Sequence, residues 1–89
     1  MDRLDWDSLS VVLAGRVRRE VLLALGRPKT PSQLAVELDI PPPHVSRALR
    51  DLKEIKAVWC RNPRRRKGKL YQRAAKGDRL VRKLRDFTR

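Results

Sequence analysis

His44, Ser46, Arg47 and Arg50 follow directly on a run of three prolines, Pro41-Pro42-Pro43. Their spacing places them on one side of a helix, with Val45, Ala48, Leu49 and Leu52 on the other. Arginines presented on an exposed helical face can fork onto the acceptor edge of guanine in a major groove, and Pro43 offers an apolar surface to a thymine methyl. A second cluster packs Arg61, Arg64, Arg65, Arg66, Lys67 and Lys69 into nine residues. Like charges this close repel one another, and a polyanion relieves the repulsion. Arginines on a finger also suit a narrow, strongly negative minor groove. A third set, Lys29, Thr30 and Ser32, opens a helix and can contact phosphate; for Thr30 plain capping is the more direct use.

Other chemistry has little to work with. His44 is the one histidine and Cys60 the one cysteine, so no metal-ligand set and no internal disulfide can be assembled from them. There is no glycine-rich phosphate loop, paired carboxylate or Ser-His-Asp arrangement. No catalytic role, cofactor, metal or small-molecule effector is expected. Trp59 and Tyr71 read as strand aromatics packed against helices, and Cys60 as a small buried residue.

The chain has 89 residues, which suggests a single domain over 1–89. Apolar residues make up 40%, enough for a core; Lys and Arg number 23 against 10 acids, a net charge of +13. That excess favours nucleic acid first and an anionic membrane surface second. No apolar run approaches the ~20 residues of a membrane span. The acidic opening from Met1 to Asp7 lacks the shape of a signal peptide, and a cytoplasmic, nucleoid-associated setting is expected.

To place the two cationic clusters the chain must build a helical frame and a hairpin. A short helix is expected at 8–14, with Ser8 as its cap. Val17, Val21, Leu22 and Leu25 recur at helical spacing until Gly26 and Pro28 end the segment. Thr30-Pro31-Ser32-Gln33 is a capping-box start, followed by the stripe Leu34, Ala35, Leu38. Asp39-Ile40 make the turn into the proline-led helix. Val58–Arg61 and Lys69–Gln72 read as two strands around a loop with Pro63 and Gly68 near its ends. Leu80, Val81, Leu84 and Phe87 give an apolar face to a last helix at 75–88. The frame is thus a helical core over 16–58, a hairpin over 58–73, and additional helices at either end.

The prolines fit this plan. The first N–H groups of a helix have no partner within it, so proline there forfeits no intrahelical bond. Because a residue before proline avoids the α region, Ile40, Pro41 and Pro42 are expected to be extended and Pro43 to be the first helical residue. Bare N–H groups at a helix mouth commonly grip phosphate, and proline removes some of them. Grip then falls to side chains.

PSQLAVELDIPPPHVSRALRDLKEIKAV, residues 31–58, resembles the helix-turn-helix of the winged-helix superfamily. VWCRNPRRRKGKLYQ resembles its wing, and LAGRVRREVLLAL and AAKGDRLVRKL are similar to the first core helix and the post-wing helix of ArsR-type regulators. The resemblance implies an α+β, mostly α, winged helix-turn-helix: a three-helix core, a β-hairpin wing, and extra N- and C-terminal helices. The resemblance would start the recognition helix one residue earlier than the proline geometry does, at Pro42, and the chain departs from the family's metal sensors in having His44 and no cysteine in that helix. Ala74 or Ala75 stands where a capping Thr is usual. The implied function is a double-stranded DNA-binding transcription regulator, archaeal or bacterial. The alternative is an architectural chromatin protein without sequence preference, and RNA or ribosome binding ranks third. Leu9, Val12 and Leu13, with Leu80, Leu84 and Phe87, lie outside the minimal core; they either pack on it or join two copies, and related regulators dimerise through terminal helices. A homodimer is therefore expected.

Overall fold

In the computed structural model, which describes residues 3–87, five helices and one hairpin follow in the order α1 (Arg3–Ala14), α2 (Arg16–Ala24), α3 (Pro31–Leu38), α4 (Pro42–Glu54), β1 (Val58–Cys60), β2 (Tyr71–Arg73) and α5 (Ala75–Phe87). The fold is the expected winged helix-turn-helix, mostly helical. The anticipated last position of α5, residue 88, lies outside the described residues.

The core forms where the apolar stripes converge. Val21, Leu22, Leu25, Leu34, Val45, Leu49 and Leu52 are all nearly or fully buried, and α2 packs chiefly on α4. Thr30 caps the start of α3 as anticipated: its Oγ1 accepts from Gln33 N at 3.2 Å, while Gln33 Oε1 accepts from Thr30 N at 2.8 Å. Asp39 takes the left-handed conformation (φ 53°); its N donates to Val36 O at 3.3 Å and Ile40 N donates to Ala35 O at 3.1 Å. This two-bond closure lets α3 end and α4 begin within three residues.

Three expectations need correction. α1 begins at Arg3 rather than at residue 8, and Ser8 lies buried in its middle instead of capping it. Asp5, Ser8, Leu9 and Val12 share its buried face; two of these are polar, so the apolar period starts late in the sequence. α4 begins at Pro42, where the family resemblance starts it and one residue before the start that proline geometry alone gives, with Pro41 as its cap at φ −55°, ψ 136°. The bond from His44 N to Pro41 O, 3.0 Å, draws Pro42 into the first turn and outweighs its reluctance to be helical before Pro43. The strands pair Val58 with Arg73, Trp59 with Gln72 and Cys60 with Tyr71. β2 therefore sits one or two residues later than expected.

The end helices pack on the core and on each other. Leu9, Val12, Leu80 and Leu84 are buried within the single chain, so the first of the two alternatives holds for these four. Only Leu13 and Phe87 of that set remain exposed. Among the described residues no helix is long and apolar enough to cross a membrane.

Candidate nucleic-acid interface

α4 owes its position to a wholly apolar inner face. Val45, Ala48, Leu49 and Leu52 are buried, which turns Pro43, His44, Ser46, Arg47 and Arg50 outward, all exposed. Among the described residues, His44, Ser46, Arg47 and Arg50 make no side-chain hydrogen bond or ion pair within the chain. Two guanidinium groups thus stand on a rigid rod with their donors unspent. The mouth of the same helix is bare of amides: Pro41, Pro42 and Pro43 carry no N–H, and that of His44 is bonded to Pro41 O.

The wing is held at its neck by one side chain that the sequence did not single out. Asn62 Oδ1 accepts from Leu70 N at 2.7 Å and its Nδ2 donates to Gly68 O at 3.2 Å. Asn62 O takes Arg65 N at 3.1 Å, and Arg61 N donates to Leu70 O at 2.8 Å. Gly68 turns the chain at φ 68°, a conformation suited to glycine. Beyond this neck Arg64, Arg65, Arg66 and Lys67 are exposed; Arg61 is exposed below it, and Lys69 is half-buried. The signal for Asn62 was its place before Pro63, where a side chain that can bond backbone on both sides closes a loop.

The base of the wing is tied to the mouth of α3. Lys29 and Tyr71 exchange backbone bonds, Lys29 N to Tyr71 O at 3.0 Å and Tyr71 N to Lys29 O at 2.9 Å. Lys29 Nζ reaches both carboxylate oxygens of Glu37 at 2.8 Å, Thr30 is used as the cap, and Ser32 is exposed. Tyr71 packs against the core, and burial, then the neighbouring Cys60, push its phenol pKa up. Trp59 does not pack as expected: the strand alternates, Val58 faces the core, and the indole is 45% exposed. Cys60 is half-buried rather than buried.

A three-helix core, α2 to α4, whose last helix turns an arginine-bearing face outward and is followed by a two-stranded hairpin has the architecture of the winged helix-turn-helix class. Residues 16–55, spanning α2 to α4, match the family model described as bacterial regulatory protein, arsR family. The fold is shared with solved structures. A MarR family transcription regulator superposes with a TM-score of 0.75 at 20% identity, covering 92% of this chain and 56% of that one. A possible transcriptional regulator for arsenical resistance gives 0.70 at 26% identity, over 92% of this chain and 83% of that one. An ArsR-like transcriptional regulator from Rhodococcus sp. RHA1 gives 0.70 at 21%, over 94% and 79%. The chain thus spans little more than half the length of the MarR-family structure. No curated protein sequence matches it significantly.

Proposed function

We propose that this protein is a transcription regulator that binds double-stranded DNA. α4 lies in the major groove and reads bases through His44, Ser46, Arg47 and Arg50, with Pro43 against a thymine methyl. The wing grips backbone and minor groove through Arg61, Arg64, Arg65, Arg66, Lys67 and Lys69. Lys29 and Ser32 add backbone contacts at the edge, Lys29 by giving up Glu37. The observation that carries this reading is the outer face of α4: unpaired Arg47 and Arg50 on a helix buried along its whole inner side, inside a segment that matches the arsR family. The protein acts as a homodimer in the cytoplasm, on the nucleoid. Trp6, Leu13 and Phe87, exposed on α1 and α5, supply its contact surface, and a two-fold pair sets its recognition helices about 34 Å apart.

Competition between a duplex selected from a random library and unselected duplex tests the reading. A preference above ~10³ supports a regulator. Affinity falling ~10³–10⁵-fold between about 50 and about 200 mM salt accompanies it. A second reading, an architectural protein without sequence preference, is favoured by the net charge of +13. A preference near unity selects it.

A further inference from the structure

The cations considered so far lie on α4, the wing and the start of α3. Another stands on the opposite flank of α4. The start of α2 and α4 between His44 and Asp51 enclose an open groove of about 270 Å³, lined by Arg16 and Arg18 on one wall and by His44, Arg47 and Asp51 on the other. The acid in this lining is already engaged: Arg18 Nε lies 3.1 Å from Asp51 Oδ2. Arg18 Nη1 also donates to Val11 O at 2.6 Å. One half-buried guanidinium therefore fixes the spacing of α1, α2 and α4. Gly15 leaves room for it, since a Cβ there would come 3.0 Å from Arg18 Nε.

Held this way, Arg16 faces Arg47 across the groove. Its side chain is 80% exposed, and only its Nε is committed, to Glu20 Oε1 at 3.3 Å. A duplex docked on the outer face of α4 passes along this rim, because His44 and Arg47 belong to both surfaces. Phosphates beside α4 find no grip in its amide-free mouth, and on the α3 side Lys29 is already held by Glu37. We propose that Arg16, opposite Arg47, binds a phosphate of the duplex backbone, adding the start of α2 to the DNA-contacting surface. The assignment rests on the DNA-binding reading above and extends it to a residue outside the recognition helix and wing.

Titrating a duplex enriched from a random library, from about 50 to about 200 mM salt, tests it. Arg16→Ala should bind several-fold more weakly at low salt, with a log–log salt slope shallower by about 0.9, the value for one lost phosphate contact. Alanine is a good helix former and the site is exposed, so folding should be kept, which a melting curve verifies. Arg27→Ala removes the same charge from an exposed turn beyond the far end of α2 and should leave the slope unchanged. Glu20→Gln, which releases Arg16, should tighten binding. An unchanged slope for Arg16→Ala overturns the assignment. If an Arg64/Arg65/Arg66→Ala variant loses slope in the same titration, DNA binding stands and Arg16 alone is excluded. If the wild-type protein fails to bind duplex at all, both readings fall together.

Discussion

Arg47 and Arg50 were legible in the sequence because everything that exposes them is local. Their neighbours at 45, 48, 49 and 52 are apolar, and a helix does the rest. Asn62 and Arg18 were not, because their partners lie elsewhere in the chain: Asn62 bonds Gly68 and Leu70, and Arg18 bonds Asp51, 33 positions away. No period or spacing announces the Arg18 contact, and the place of Asn62 before Pro63 marks a loop closure without naming its partners. Asn62→Ala removes both side-chain bonds at the neck of the wing. It should cost about 1–2 kcal/mol of stability and speed hydrogen exchange at the Leu70 amide, which NMR can follow. Affinity for all duplexes should fall together, since the wing's cations are set loose while α4 is untouched.

At the scale of elements, capping and turn chemistry were readable and the two proline and polar starts were not. The Thr30–Gln33 box formed as its four-residue pattern specifies. The start of α1 was hidden because Asp5 and Ser8 occupy its buried face, and the start of α4 because Pro42 obeys the His44–Pro41 bond over its own local preference. Gly77 illustrates a third kind of information that no pattern holds. It lies in the first half of α5, and a Cβ there would come 2.1 Å from Ala57 O, the carbonyl that also accepts Ala74 N at 2.9 Å. Gly77→Ala gains about 1 kcal/mol of helix propensity, yet α5 must back away from the turn between α4 and β1. A net loss of about 1–3 kcal/mol is expected, measured by urea unfolding; an equal or raised stability would show that α5 is free to slide.

For the whole molecule, the terminal helices decide how much of the chain is core. α1 and α5 bury Leu9, Val12, Leu80 and Leu84 against each other and the central helices, so most of the apolar strip expected between two copies is spent within one. An ion pair fastens the same seam: Arg79 Nε lies 3.1 Å from Asp5 Oδ2 and Arg79 Nη2 3.3 Å from Oδ1. The hydrogen bond from Arg79 holds the Asp5 carboxyl below its usual range, against the opposing effect of desolvation. A carboxyl depressed on folding contributes stability above its unfolded pKa of about 4 and surrenders it as the pH falls through the folded value. Melting temperature should therefore decline more steeply below about pH 4 in the wild type than in Asp5→Asn, which lacks the titrating group. Parallel curves would mean that the pair adds nothing to this seam.

The half-exposed indole of Trp59 has a practical use. It stands on the strand that leads into the cationic finger, and the only other tryptophan, Trp6, sits on α1. With Trp6 replaced by Phe, the light emitted by one native ring would report the surroundings of the hairpin. Its colour and brightness could then time the arrival of a polyanion without any attached dye.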